Sequence, residues 1–268
     1  MPAGPVRQLG LRTARILVLE DGYPYLERLL PAIVPDGVEI LGRDTGHLPP
    51  DGELDPDVVR VALGLPVREG LTARGLTLPP RPPQLCAGCP HGDMYKALKL
   101  ALADAGPSLV TSDIGCYSLG ALPPYSAVET CVCMGASIGM ARGASDAGFR
   151  PVVAVIGDST FLHSGMTALL DAIAENTDMT LLILDNEVVA MTGGQASLVP
   201  STRMEPLLRG LGVPPEHLHF VRAHPRQVEE IAALIRREVA HAGLSVIVGV
   251  RECVEAARTR KRALAARD

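Results

Sequence analysis

Two apolar runs constrain this chain more than any other feature: VVAVI, residues 152–156, and LLIL, residues 181–184. Neither run alternates with polar residues. A strand of that kind is dry on both faces, which is the situation of strands in a parallel sheet covered by helices. Between the two runs lies FLHSGMTALLDAIAEN, a segment of helical length. The alternation continues on both sides. DMYKALKLALADAG reads as an amphipathic helix ending at Gly106, SLVTSDIG as a short strand, and CMGASIGMARGASDAG as a helix rich in small residues. HLHFVRA, RQVEEIAALIRREVAHAG and LSVIVGVRE complete the series as strand, helix and strand. The expected fold is α/β, a mostly parallel sheet with helices on both faces.

Residues 1–80 differ. ARILVLEDG reads as a strand, YPYLERLLPAIV as a short helix and VVRVALGL as a second helical patch. TLPPRPPQ, with four prolines in eight residues, reads as a linker. One strand and two short helices bury too little for a core of their own. This segment is expected to pack on the main domain, residues 81–268, or on a partner.

The 268 residues are 47% hydrophobic and 21% charged, enough for a large core. A net charge of -5 without a basic stripe argues against nucleic acid. No apolar run has the length of a membrane span, and the N-terminus lacks the apolar core of a signal peptide. The expected compartment is the cytoplasm, with no membrane partner. In a reducing compartment the six cysteines point to metal, cluster or redox chemistry or to packing, not to a disulfide framework.

Each buried strand ends in polar residues: Gly157-Asp158-Ser159 after the first, Asp185-Asn186 after the second. Singly, each cluster reads as a helix cap or a turn. Asp158 and Asn186 are 28 positions apart, one strand–helix–strand unit, so both belong at carboxyl strand ends facing one crevice. A carboxylate, an amide oxygen and a backbone carbonyl suit Mg²⁺, which often bridges phosphates. Gly157 allows close backbone approach. Ser159 and Thr160 offer hydroxyl and N–H donors where a helix begins, a place that favours an anion. The pair describes a Mg²⁺–diphosphate site.

Cys86 and Cys89 form CxxC before a helix, Cys116 follows a strand in DIGC, and Cys253 follows the last strand in VRECV. These places can converge. Four thiolates would bind a [4Fe-4S] cluster or tetrahedral zinc, and spacing alone leaves both open, as it leaves open plain burial of Cys116 and Cys253. Cys131 and Cys133 read as packing or pocket residues. His91, directly after CxxCP, and His163, opening the helix after the diphosphate turn, are the candidate proton-transfer groups. Capping or packing is the other reading of each. His47, His217, His219, His224 and His241 read as surface, as does Arg142.

GDS followed by LDNEVVAMTGGQ, together with LCAGCPHGDMYKAL, SDIGCYSLG and ETCVCMGASIGMARG, resembles the 2-oxoacid:ferredoxin oxidoreductases. The nearest resemblance is to the thiamine-diphosphate (TPP) binding part of the indolepyruvate ferredoxin oxidoreductase alpha subunit. It covers residues 80–255 strongly and 15–65 weakly. It implies the TPP-binding fold of the diphosphate-binding type and oxidative decarboxylation of a 2-oxoacid to an acyl-CoA. It implies that Asp158, Asn186 and the carbonyl of Val188 ligate Mg²⁺. Gly157, Ser159 and Thr160 would hold the diphosphate, and the helix beginning Cys133-Met134-Gly135 would lie against the coenzyme rings. Thr192 and Gly193 would close over the coenzyme. It favours a [4Fe-4S] cluster on Cys86, Cys89, Cys116 and Cys253.

The resemblance also implies what other chains supply. TPP is normally activated by a glutamate from a pyrimidine-binding domain, and residues 1–80 are too short to be one. The C-terminal ferredoxin module of the long family members, CxxCxxCxxxCP, has no counterpart before ARTRKRALAARD. The expected partners are a subunit carrying the pyrimidine-binding domain, further oxidoreductase subunits, ferredoxin or another electron acceptor, CoA and a 2-oxoacid. Two other readings stand beside this one: a non-oxidative TPP decarboxylase subunit whose cysteines bind zinc or nothing, and a non-catalytic scaffold with the same fold.

Overall fold

A computed structural model describes residues 1–70 and 82–265. The chain divides into two compact units, Met1–Pro79 and Pro80–Asp268.

The first unit holds α1 (Ala3–Gly10), β1 (Arg15–Leu17), α2 (Tyr25–Leu29), β2 (Glu39–Leu41) and α3 (Pro56–Ala62). β1 and β2 pair in parallel. The expected strand ARILVLEDG is thus only three residues long; among the described residues it pairs with a three-residue strand the sequence did not announce. Few large apolar side chains are buried here, among them Val18, Leu30, Val34 and Leu48. Buried charges do much of the holding. Glu27 accepts from Asp44 N (2.9 Å), Thr45 N (3.1 Å) and Thr45 Oγ1 (3.1 Å). Arg43 donates to the carbonyls of Glu20, Pro49 and Gly52. Paired in this way a buried charge is tolerable. Most of the proline-rich stretch 77–84 lies outside the described residues.

The second unit runs α4 (Pro90–Leu102), β3 (Leu109–Ser112), β4 (Thr130–Cys131), α5 (Ala136–Asp146), β5 (Val152–Gly157), α6 (Asp158–Thr160), α7 (Met166–Ala174), β6 (Met179–Asp185), β7 (Val188–Val189), β8 (Gln195–Ala196), α8 (Met204–Leu211), β9 (Leu218–Arg222), α9 (Val228–Val239), β10 (Leu244–Val250) and α10 (Val254–Ala265). Six strands form one parallel sheet in the order β4-β3-β5-β6-β10-β9. β7 and β8 form a separate antiparallel pair.

The apolar runs behave as their composition requires. Every residue of β5 and β6 is buried. Side chains alternate between faces. Val153, Val155, Leu182 and Leu184 join α4 and α9 on one face, while Val152, Ala154, Ile156, Leu181 and Ile183 join α5 and α7 on the other. Removing each such side chain from water contributes roughly 1.5–3 kcal/mol.

Two expected helices differ in detail. The small-residue helix begins at Ala136, not Cys133, because Gly135 takes a left-handed conformation (φ +85°) that no right-handed helix contains. The helix after the GDS turn is not one uniform α-helix. Residues 158–174 pass from α6 through a π-turn, Phe161–Gly165, into α7. Such turns shift the helical register and recur at functional sites.

Candidate functional site

β3 has β4 on one side and β5 on the other, so the chain leaves β3 in opposite senses across the sheet. A crevice opens at the carboxyl ends of strands at such a switch point. A cavity of about 50 Å³ lies there, lined by residues that follow β3 (Gly115, Cys116, Tyr117), β5 (Gly157–Thr160) and β6 (Asn186, Val188), and by His91 on the first turn of α4.

Part of its lining is Tyr117, whose hydroxyl is held by Asp113. Asp113 is fully buried and accepts from Ser137 N (3.2 Å), Ser137 Oγ (2.6 Å) and the Tyr117 hydroxyl. Burial pushes its carboxyl above the ordinary range, against these bonds. The Tyr117 ring then occupies the space beside Gly157, where an added Cβ would stand 2.5 Å from Cε1. Gly157 is glycine because the tyrosine leaves no room.

Asp158, just after β5, and Asp185, the last residue of β6, stand at the ends of neighbouring strands. Both are buried, and Oδ2 of each has no hydrogen-bond partner. Burial, and then the charge of Asp185, raise the Asp158 carboxyl from 3.8 to about 6. Burial likewise raises Asp185. The turn that follows is held tightly: Asp185 Oδ1 accepts from Glu187 N (3.2 Å) and Asn186 Oδ1 from Val188 N (3.1 Å), with Glu187 at φ +65°. A non-glycine residue there marks an over-determined turn. Within the cavity's lining, the orphaned Asp158 Oδ2, the Asn186 amide oxygen with one lone pair free and the Val188 carbonyl are hard-cation donors, so the residues present fit Mg²⁺. No side chain caps the start of α6, which leaves its first N–H groups for an anion.

The cavity brings together Gly157, Asp158, Ser159, Thr160, Asn186, Val188 and also His91. Thr160 Oγ1 donates to Ile114 O (3.2 Å), tying the diphosphate turn to the β3 turn. Other expected site residues lie elsewhere. Cys133 and Met134 are exposed before α5, where Gly135 rests against Ser164. Thr192 and Gly193 are exposed in the short turn between β7 and β8, with Thr192 donating to Gln195 Oε1 (2.8 Å). His163 is exposed on the π-turn and does not line the cavity. His91 is buried, and burial followed by the charge of Arg251 depresses it to about 4, so it is neutral near pH 7. A neutral imidazole has no imidazolium proton to give near pH 7, which leaves acceptance of a proton or of a hydrogen bond as its chemistry.

Of the four grouped cysteines, Cys253 is buried, Cys89 and Cys116 half-buried and Cys86 exposed. Burial pushes Cys89 up to about 11, opposed by the backbone N–H groups of His91 and Gly92 and reinforced by Cys86 and Cys253. Burial and then Cys253 and Cys86 raise Cys116. The thiols therefore feel one another. Among the described residues, however, no three His, Cys, Asp or Glu side chains are grouped so as to hold a metal ion.

Sequence reasoning missed Tyr117 and the Asp113 that holds it, and placed Asp185 at the crevice without a role of its own. Asp113 follows a strand that ends in the crevice, which was the available signal. Away from the site, His217, His219 and His241 are not plain surface residues. His217 Nδ1 (2.8 Å) and His219 Nε2 (2.9 Å) meet the buried Glu238 carboxylate, and His241 stacks on His217 at 3.6 Å. Arg142 pairs with Asp146 and Asp171 instead of standing free in solvent.

A parallel α/β domain with glycine, carboxylate and amide gathered at adjacent strand ends has the layout of a domain that binds a ligand at its switch point. The chain belongs to the thiamine pyrophosphate enzymes: their C-terminal TPP binding domain matches residues 113–248. It is 34% identical over 260 residues to the indolepyruvate oxidoreductase subunit IorA of Archaeoglobus fulgidus, covering 89% of this chain and 41% of that one. The corresponding subunit of Thermococcus kodakarensis is 38% identical over 198 residues, covering 66% of this chain and 30% of that one. The chain thus spans less than half the length of these relatives. A 2-oxoglutarate:ferredoxin oxidoreductase from Magnetococcus marinus, solved with 2-oxoglutarate, coenzyme A and succinyl-CoA, shares the fold at TM-score 0.52 and 22% identity, over 67% of this chain and 70% of that one. Among the described residues no helix is long and apolar enough to cross a membrane.

Proposed function

We propose that this chain is the diphosphate-holding subunit of a TPP-dependent 2-oxoacid:ferredoxin oxidoreductase acting on an aryl 2-oxoacid such as indolepyruvate. The observation that carries the reading is the orphaned carboxylate oxygen of buried Asp158, which lines one cavity with Asn186 and Val188 at the ends of adjacent strands. In this reading Asp158, Asn186 and the Val188 carbonyl hold Mg²⁺, and Gly157, Ser159 and Thr160 receive the diphosphate. When bound, the coenzyme supplies a nucleophile for the 2-oxo carbon and a sink for the electrons left by loss of CO₂. The chain's part is to bind and orient the metal and diphosphate end.

A cavity of about 50 Å³ takes an ion and a few waters, not a whole coenzyme. The rings would project beyond it, where exposed Cys133, Met134, Thr192 and Gly193 lie available to a partner. A partner subunit supplies the pyrimidine-binding domain and its glutamate, and further subunits, ferredoxin and CoA complete the reaction in the cytoplasm. In this reading Cys86 and Cys89 of the CxxC turn, with Cys116 and Cys253 after two strands, would hold a [4Fe-4S] cluster.

The test is binding of TPP with Mn²⁺ as a spectroscopic substitute for Mg²⁺. The expected result is metal-dependent TPP binding that Asp158→Ala abolishes. Unchanged binding by Asp158→Ala would refute the clamp. Oxygen-free co-purification from the source then reads the rest: a brown complex containing a TPP-activating partner supports the oxidoreductase, whereas a colourless, zinc-containing one overturns it.

A further inference from the structure

The cavity holds one buried histidine whose role the metal clamp does not explain. His91 is 3% exposed. Its Nε2 stands 3.1 Å from Asn186 Nδ2. The asparagine amide cannot be turned over, because its Oδ1 already accepts from Val188 N (3.1 Å). Nδ2 therefore faces the histidine. An amide nitrogen only donates, so His91 Nε2 accepts and the ring proton resides on Nδ1.

The ring is itself fixed. It follows Cys89 and Pro90 in the first turn of α4, and its edge meets the Tyr117 ring at 6.3 Å and 86°. Asn186 is held at a second point: its carbonyl accepts from Cys253 N (3.3 Å), while the Asp185 carbonyl accepts from Arg251 N (3.1 Å). Arg251 in turn pairs with the buried Asp93 of α4 (2.9 Å). The asparagine is thus gripped by its side chain from the CxxCPH turn and by its backbone from the segment carrying Cys253.

We infer that His91 is a positioning residue, not a proton-transfer group: it accepts from the Asn186 amide and fixes the amide so that the free lone pair of Oδ1 is presented to the cation. The inference rests on the Mg²⁺ clamp proposed above. Groups that orient a metal ligand in this way typically change metal affinity 10–100-fold when removed.

The experiment measures Mn²⁺ affinity of the full chain with saturating TPP, by the EPR signal of free Mn²⁺. His91→Leu, which lacks the acceptor, is expected to weaken Mn²⁺ about 10–100-fold. His91→Gln, which keeps an acceptor oxygen, is expected to recover most of that loss. In an Asn186→Ala background His91→Leu should add little, since residues acting through one another are not additive. Wild-type affinity in His91→Leu, or an equal loss in both backgrounds, overturns the inference. Asp158→Ala separates the two claims. If it leaves Mn²⁺ binding intact, the clamp is wrong; if it abolishes binding while His91→Leu is normal, only the role of His91 is wrong. Should His91→Leu fail to fold, the unmodified chain decides by ¹⁵N NMR: a proton on Nδ1 with bare Nε2 supports the inference, and a proton on Nε2 overturns it.

Discussion

Replacing Asp158 with asparagine should make the metal-free chain more stable at neutral pH. The side chain is 3% exposed, and burial together with Asp185 lifts its carboxyl from 3.8 to about 6. Each tenfold change in proton affinity is worth about 1.36 kcal/mol. At pH 7 the ionised group therefore costs the fold roughly 3 kcal/mol. The sign follows from linkage. The folded carboxyl holds its proton more tightly than the unfolded one, so the cost is absent below about pH 4, grows up to about pH 6 and is level beyond. Asparagine keeps the shape without the charge, but its amide leaves polar atoms to satisfy. The expected gain at pH 7 is about 1–2 kcal/mol, or roughly 2–8 °C in Tm for a unit of this size. Thermal and urea unfolding in EDTA, at pH 7 and pH 4, read it directly. The wild type should gain about 2.7 kcal/mol from Mg²⁺ and TPP at a hundred times Kd, and the variant nothing. A variant less stable than wild type at pH 7, or equally stabilised at pH 4, would refute the account of Asp158 as a strained, ionised ligand.

Two further outcomes follow from geometry. Gly157→Ala should cost about 1–3 kcal/mol and abolish TPP binding, because its methyl would meet the Tyr117 ring that Asp113 holds in place; unfolding and calorimetric binding check it. Glu238→Gln should destabilise the chain by about 1–3 kcal/mol at pH 7, by urea midpoint. Burial alone would raise the Glu238 carboxyl, but hydrogen bonds from His217 and Arg237 and the nearby His219 hold it below 4.5. That stabilisation is present above pH 4.5 and lost as pH falls below it, so the difference between variant and wild type should shrink in that acid window.

Most of the sheet was legible because β5, β6 and β10 carry continuous apolar runs, a pattern that a dry parallel strand alone requires. Thr130–Cys131 was not, since a two-residue edge strand has no periodicity to read. The pair β7–β8 was hidden for the same reason. α8 and α10 escaped notice because α8 is eight residues long and α10 has a weakly apolar composition. At the site, Asp158 and Asn186 could be found from their spacing, as both follow the strands that bracket one helix. Their environment could not. That Asp158 Oδ2 is left without a partner, that Tyr117 fills the space behind Gly157, and that Glu187 turns left-handed all depend on where other segments arrive.

His91 shows the division most clearly. Its place in CPHG marked it as belonging near chemistry, and local sequence reached no further. Residue type and order determined the apolar strands, the glycine at the turn and the presence of carboxylate and amide at two strand ends, because those properties are carried by neighbours along the chain. Only the tertiary structure decided that His91 is buried against an amide 95 positions away. That meeting is set by the closure of α4 on the turn after β6 in space, which no local stretch of the sequence encodes.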